Sequence, residues 1–182
     1  SRARDDGDGL LEIDLSRGLF SFAIVGLADK AIAESKERVS AAIKSLGAKP
    51  PNQKNQRVTV SLAPADLKKE GPAFDLPIAL AYLLASKQAN FETKNKIFIG
   101  ELSLDGDLRP IKGALPIAQK AKQAGFKEIF LPIENAEEAS VISGIKVYGA
   151  KTLLEVVSHI NTKKSEDEGL VIPQVEIKPY LA

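Results

Sequence analysis

The chain has 182 residues, 44% of them hydrophobic, which suits one compact domain with a buried core and excludes two large domains. Lysine and arginine number 25 against 24 for aspartate and glutamate, so no overall field draws the chain toward nucleic acid or an anionic membrane. The absence of cysteine excludes disulfides, thiolate metal sites and thiol nucleophiles, and it suits a reducing cytosol.

The two ends of the chain differ in composition from its middle. Residues 1–9, SRARDDGDG, are polar and lack the apolar stretch of a signal peptide, so we expect a start that is disordered or left over from an expression vector. No apolar run approaches the roughly 20 residues of a membrane span, which predicts a cytoplasmic protein with no membrane partner. The chain has no methionine, so we expect a piece of a longer protein. Residues 161–182 open with the charged stretch NTKKSEDEG, which predicts a linker.

The first elements in chain order are two strands and a helix. LLEIDL (10–15) and FSFAIV (20–25) are apolar or alternating over strand length, and Gly18 between them predicts a hairpin. Apolar residues then recur at helical spacing over residues 29–46. Gly47 follows at the position where glycine ends many helices. The sequence therefore predicts a strand pair followed by an amphipathic helix.

Later segments alternate between strands and helices. RVTVSL (57–62) alternates as a strand does, and IALAYLLAS (78–86) is apolar nearly all round, which predicts a buried helix capped by Asp75. Asp105 and Gly106 form a hairpin-turn signal. The remaining pattern predicts helix, strand, helix, strand and helix over residues 116–125, 128–132, 134–142, 145–149 and 152–160. Together these elements predict a domain that combines helices and strands.

Common catalytic and ligand-binding patterns are missing from the sequence. No Gly-x-x-x-x-Gly-Lys-Ser/Thr occurs, and EGPAFD places Glu70 and Asp75 where they would repel a phosphate. The scattered carboxylates form no ligand cluster, which predicts no metal and no cofactor in this chain. His159 falls in the last turn of the final predicted helix, where a core or helix-capping role that meets the helix dipole is favoured over catalysis.

Four stretches carry a family resemblance: VGLADKAIAESKERVSAAI, VTVSLAPADLKKEGPAFDLPIAL, IFIGELSLDGDLRPIKGALPIA and LPIENAEEA. In order and nearly without gaps, they resemble the N-terminal domain of the magnesium-chelatase-like AAA+ ATPases, the competence-related branch-migration helicase family. That domain is in turn similar to the proteolytic domain of Lon protease. The resemblance implies an α+β domain of the ribosomal protein S5 domain 2-like fold over residues 10–160. Residues 161–182 would then lead to an absent AAA+ ATPase module.

The resemblance also implies that a catalytic dyad has been lost. In Lon-type enzymes the nucleophilic serine follows the Gly-Pro of this turn, and that position is Ala73 here. The activating lysine lies two residues after the glycine matched by Gly113, and that position is Leu115 here. Lys112 lies nearby in sequence, but with alanine at position 73 it has nothing to activate. The turn that keeps the family shape is marked by Glu70, Gly71, Pro72 and Asp75.

The implied role is a non-catalytic accessory domain of a hexameric AAA+ ring, with ATP and Mg²⁺ bound by the absent module. Loops 47–56 and 64–74 would face neighbouring subunits or DNA, or would simply be solvated. The basic residues in or directly beside these loops are Lys49, Lys54, Arg57, Lys68 and Lys69. Two alternatives stay open at this stage: a residual serine-dependent peptidase or hydrolase, and a subunit of a magnesium-chelatase-type complex.

Overall fold

The protein is described from a computed structural model. The structure describes residues 2–4, 11–17, 21–25, 29–51, 56–62, 71–162 and 176–181. No helix within these ranges has both the length and the apolar character needed to cross a membrane.

Four strands from the first third of the chain form one sheet. They are β1 (Arg2–Arg4), β2 (Leu11–Arg17), β3 (Ser21–Val25) and β4 (Gln56–Leu62). Their order is β1-β2-β4-β3, with β2 antiparallel and β3 parallel to β4. The predicted hairpin between the second and third strands is therefore wrong. The chain leaves β3 through a helix and returns as β4, and such a crossover makes β3 and β4 parallel neighbours, while β2 occupies the other side of β4.

The expectation of a disordered start does not hold for β1, which pairs antiparallel with β2 from Arg2 opposite Asp14 to Arg4 opposite Glu12. The rest of residues 1–9 lies outside the described residues. The start of the chain thus contributes an outer strand to the first sheet.

Two helices pack beside each other. They are α1 (Asp29–Ser45) and α2 (Asp75–Ala85). Both were predicted, and Gly47 ends the first with a positive φ of 89°. In α2 eight of eleven residues are buried, which confirms the central position that its apolar composition predicts.

The second half of the chain forms a parallel sheet, a short hairpin and three helices. The elements are β5 (Lys96–Phe98), β6 (Glu101–Leu102), β7 (Leu108–Arg109), α3 (Ala114–Gln123), β8 (Glu128–Pro132), α4 (Ala136–Ala139), β9 (Lys146–Ala150) and α5 (Leu153–Ile160). Strands β5, β8 and β9 are parallel in that order, while β6 and β7 form the predicted hairpin around Gly106. The helix predicted over 134–142 is shorter, because a 3₁₀ turn precedes α4 and the Ser140 hydroxyl bonds to the Glu137 carbonyl at its end.

The parallel sheet separates two hydrophobic clusters. Phe130 of β8 faces the larger cluster, which includes residues of α1, α2 and α5. Its neighbours Ile129 and Leu131 face the smaller cluster with residues of α3 and α4, as alternation along a strand requires. The architecture is α+β, with helices on both faces of the parallel sheet.

The described part of the predicted linker packs against the domain. The Thr162 amide donates to the Asn90 carbonyl at 2.7 Å. Further on, the Ile177 amide donates to His159 Nδ1 at 2.9 Å, and the Tyr180 amide donates to the Val147 carbonyl at 2.7 Å. Residues 163–175 lie outside the described ranges. Residues 176–181, which we call the C-terminal strap, therefore run beside β9 and α5.

Candidate functional site

The Gly-Pro turn precedes α2 and is bonded to the backbone of one glycine. Residues Gly71–Phe74 form a 3₁₀ turn. The Gly100 amide donates to the Ala73 carbonyl at 2.8 Å, and the Leu76 amide donates to the Gly100 carbonyl at 3.0 Å. A Cβ at Gly100 would lie 2.9 Å from Leu108 Cδ2, so a larger residue would not fit without displacing Leu108. The turn is fixed against the start of the β6–β7 hairpin.

Asp75 does not cap its helix as predicted. The residue before the helix is Phe74, and no side chain bonds to the first amides of α2. The Asp75 carboxylate instead accepts hydrogen bonds from α1 and β6. Its donors are Ser35 Oγ at 2.9 Å, Arg38 Nε at 2.6 Å, Arg38 Nη2 at 3.1 Å and the Leu102 amide at 3.1 Å. We call these four residues the Asp75 network, and it joins α1, α2 and β6.

Opposing effects act on the ionisation of the Asp75 network. Burial raises the pKa of Asp75, whose side chain has no exposed surface, while the bonds from Arg38, Leu102 and Ser35 lower it. On the other side of the pair, the hydrogen bond to Asp75 raises the pKa of Arg38. We favour the charged pair, because a two-pronged guanidinium contact and two further donors compensate a carboxylate well. The network is a structural ion pair.

The second turn carries Leu115 into the start of α3. Gly113 precedes the helix with φ 77°, and the Leu115 amide donates to Glu138 Oε1 at 3.1 Å. Asn135 holds Ile111, two residues before Gly113, through the oxygen and the nitrogen of its side-chain amide. Its Oδ1 accepts from the Ile111 amide and its Nδ2 donates to the Ile111 carbonyl, both at 2.9 Å. Asn135 is not among the residues predicted from the sequence, although it stands inside LPIENAEEA, one of the stretches that carry the resemblance.

Both turns border the same hydrophobic cluster. Ala73 from the first turn packs against it, and so do Ile111 and Ile117, which flank Leu115 in sequence. Neither Ala73 nor Leu115 has a side-chain atom that could attack a carbonyl or accept a proton. Lys112 is exposed. Within the described ranges, no group of three or more histidine, cysteine, aspartate or glutamate residues could hold a metal ion.

Of the five residues predicted to contact DNA or a neighbouring subunit, the structure describes Lys49 and Arg57. Lys49 is exposed, and its backbone bonds to the Gln88 side chain at 2.7 and 2.9 Å. Arg57 lies in β4. In the Gly-Pro turn, the side chain of Pro72 is exposed. The remaining predicted contact or turn residues lie outside the described residues: Lys54, Lys68, Lys69 and Glu70.

His159 is half-buried and packs against aromatic residues of the parallel sheet. Its ring lies 5.5 Å from that of Phe130 and 5.1 Å from that of Tyr148. Burial lowers the pKa of His159, Lys96 lowers it further, and Glu128 and Glu176 oppose them. His159 Nδ1 accepts the Ile177 amide, so this nitrogen must carry no proton. The structure thus places the histidine at the border of the core, and its unprotonated Nδ1 corrects the expected cation at the helix end.

Comparison with known proteins gives concordant matches. A family model described as subunit ChlI of Mg-chelatase matches residues 11–135. The competence protein ComM of Haemophilus influenzae is 43% identical over 152 residues, which are 83% of this chain and 29% of that protein. The uncharacterized protein YifB of Salmonella typhimurium is 38% identical over 163 residues, 88% of this chain and 31% of that protein.

A more distant relative is Lon protease 2 of Bacillus subtilis. It is 29% identical over 147 residues, which are 80% of this chain and 24% of that protease. The chain thus spans about three-tenths of the length of the two nearer relatives described above.

Proposed function

The chain belongs to the family described as subunit ChlI of Mg-chelatase, and from that premise we propose that it is a non-catalytic accessory domain of a larger AAA+ ATPase. The observation that carries the proposal is the pair of turns around Ala73 and Leu115. Both turns are held by buried polar side chains, yet neither position bears a reactive group. A Lon-like domain that keeps the two turns but lacks the catalytic side chains at positions 73 and 115 is suited to binding and assembly.

We further propose a specific fold for this domain. We assign residues 10–160 to the ribosomal protein S5 domain 2-like fold, the fold of the Lon proteolytic domain. The similarity to Lon protease 2 over 80% of this chain supports it, as does an α+β architecture that contains a β3–α1–β4 crossover. Residues 161–182 would then connect this domain to the ATPase module.

The remainder of the protein would supply the energy-consuming chemistry. We propose that the ATPase module binds ATP and Mg²⁺ and assembles as a hexamer in the cytoplasm. The accessory domain would support ring assembly and contact DNA or a partner protein during recombination or natural transformation. Support for the last point comes from ComM, which is named a competence protein.

A restoration experiment tests the non-catalytic assignment. The 182-residue chain, its Ala73→Ser variant and its Ala73→Ser/Leu115→Lys variant are incubated with a fluorogenic peptide library and with an unfolded protein substrate. We expect no turnover by the unaltered chain, which has no hydroxyl at position 73. We also expect none by the single variant, because a serine hydroxyl is a weak nucleophile without a base to take its proton, and only the double variant supplies such a base. Turnover by the unaltered chain would overturn the proposal and favour a serine-dependent hydrolase, which replacing each serine in turn would locate.

A further inference from the structure

The parallel sheet has ends of opposite charge, although the chain as a whole is nearly neutral. Strands β5, β8 and β9 all run in one direction, so their amino-terminal ends meet at one edge. Five lysines lie at this edge, and we call it the basic edge: Lys94, Lys96, Lys122, Lys127 and Lys146. None of them belongs to the loops in which the sequence predicts a contact surface.

Backbone contacts hold the segments of the basic edge together. The Lys127 amide donates to the Asn95 carbonyl at 2.8 Å, and the Lys146 amide donates to the Lys127 carbonyl at 2.9 Å. Lys122 lies in the last turn of α3 at the same edge, where its Cε lies 3.1 Å from the position of a Cβ on Gly144. The lysines therefore come from three strand starts and one helix end that contact one another.

Four of these lysines are free to meet a ligand. Lys94, Lys122, Lys127 and Lys146 are exposed, and no ion pair to them occurs among the described residues. The fifth, Lys96, lies 3.7 Å from a Glu128 oxygen. The other Glu128 oxygen accepts the Tyr148 hydroxyl at 3.2 Å, so this carboxylate is already shared.

Two further acidic residues lie near the basic edge. Glu92 is exposed in the segment that precedes β5. Burial raises the pKa of the Tyr148 phenol, and Glu176 of the C-terminal strap lies close enough to raise it further. The strap also brings the exposed Lys178. Counted over the residues that the structure describes, the net charge at this edge stays positive.

The opposite end of the sheet is acidic. The segments that follow the three parallel strands, including the β6–β7 hairpin and α4, carry more carboxylates than cations. The carboxylates are Glu101, Asp105, Asp107, Glu134, Glu137 and Glu138, and the cations are Arg109, Lys112 and Lys151. A polyanion would be repelled from that end and attracted to the basic edge, so the charge separation orients the domain.

We infer that the basic edge binds the phosphate backbone of duplex DNA without reading its base sequence. Neighbouring strands lie about 4.8 Å apart, and duplex DNA carries one charge per about 1.7 Å of its axis, so several phosphates face the lysines of three strand starts. Lysine ammonium groups suit this contact because they act as mobile point charges. The inference rests on the proposed function and specifies which surface would contact DNA.

A second copy of this chain is the competing partner, since its acidic end complements the basic edge. Part of that acidic end is engaged within the molecule: Glu138 accepts the Leu115 amide, and Glu101 is half-buried beside Arg38. The four exposed lysines have no such engagement among the described residues. This difference favours an external polyanion over self-association.

The experiment compares two triple variants that lose the same charge. Lys122→Gln/Lys127→Gln/Lys146→Gln alters the basic edge, and Lys30→Gln/Lys112→Gln/Lys151→Gln removes three exposed lysines elsewhere. Binding to a fluorescently labelled duplex is followed by anisotropy over a series of salt concentrations. For the basic-edge variant we expect the slope of log K against log salt to become shallower by about 0.9 per lysine, as expected when each lysine releases counterions. The matched variant keeps the slope of the unaltered chain.

Three outcomes would contradict the inference, and only the second of them would also contradict the DNA role. If the unaltered chain binds and both variants lose affinity and slope equally, the basic edge is not the site, while the DNA role stands. If the unaltered chain does not bind duplex at all, the DNA role and the inference both fall. If gel filtration shows salt-sensitive self-association that only the basic-edge variant loses, and DNA binding is unchanged, the partner is a second copy and the inference is wrong. Circular dichroism of both variants confirms their folding.

Discussion

The turn around Ala73 and the turn around Leu115 are held by two different kinds of buried side chain. Asp75 presents a charged carboxylate with no exposed surface to four donors from α1 and β6. Asn135 presents a neutral amide, 6% exposed, to the backbone of Ile111 alone. The first arrangement joins three elements that are distant in sequence, and the second fixes one loop. Loss of the charged group should therefore affect the whole domain, and loss of the amide mainly its own turn.

The largest expected effect comes from Asp75→Ala. This change leaves the Arg38 guanidinium without its partner and the Ser35 hydroxyl and Leu102 amide without their acceptor. Breaking a buried ion pair from one side typically costs 3–5 kcal/mol, so we expect the free energy of unfolding to fall by about 4 kcal/mol. Urea unfolding followed by circular dichroism measures the change. Glu92→Ala, which removes an exposed carboxylate from a loop, should shift the midpoint little, and equal losses in the two variants would refute the comparison.

A smaller effect is expected from Asn135→Ala. The Ile111 amide and carbonyl lose their partners, and unpaired polar groups in a half-buried site cost about 2 kcal/mol. We also expect faster hydrogen exchange over the turn before α3, with little change in α1 and α2. Asn135→Asp keeps an acceptor for the Ile111 amide but faces an oxygen toward the Ile111 carbonyl, so it should not recover the stability. A loss as large as that of Asp75→Ala would show that the amide holds more than its own turn.

Local patterns predicted most elements of the fold, whereas pairings that depend on distant residues were missed. Helix α1, strand β4, helix α2 and the Asp-Gly hairpin follow from periodicity and turn chemistry within a few residues. The sequence patterns of β2 and β3 fit a hairpin as well as they fit the observed arrangement. Their separation by β4 is decided by the crossover through α1, which no window of a few residues contains.

The site shows the same division between local and distant information. The order of Gly71, Pro72 and Ala73 identifies the altered turn through a family resemblance. The role of Asp75 as an ion-pair partner could not be predicted. Its position at a helix start predicts a cap, and its partner Arg38 lies 37 residues earlier in the chain. Asn135 gave no local signal either, since its partner Ile111 is 24 residues away.

The smallest expected effect concerns pH and the C-terminal strap. His159 is the single histidine of the chain, and burial lowers its pKa below the usual 6.5. The unfolded chain therefore binds a proton at a higher pH than the folded chain does, so stability is complete above about pH 6.5 and falls as the pH drops through the folded-state pKa. Protonation of Nδ1 also removes the acceptor of the Ile177 amide.

Denaturation midpoints measured from about pH 8 to about pH 5 test this prediction. We expect His159→Gln to flatten that part of the pH profile, because glutamine does not titrate there. Hydrogen exchange of the Ile177 amide should rise at the acidic end of the series in the unaltered chain. The Asn135→Ala variant serves as the matched control: it is less stable throughout but should keep the pH profile, since the side chain of Asn135 bonds to Ile111 and not to the histidine. An unchanged profile in His159→Gln would assign the pH dependence to carboxylates, with buried Asp75 the first to examine.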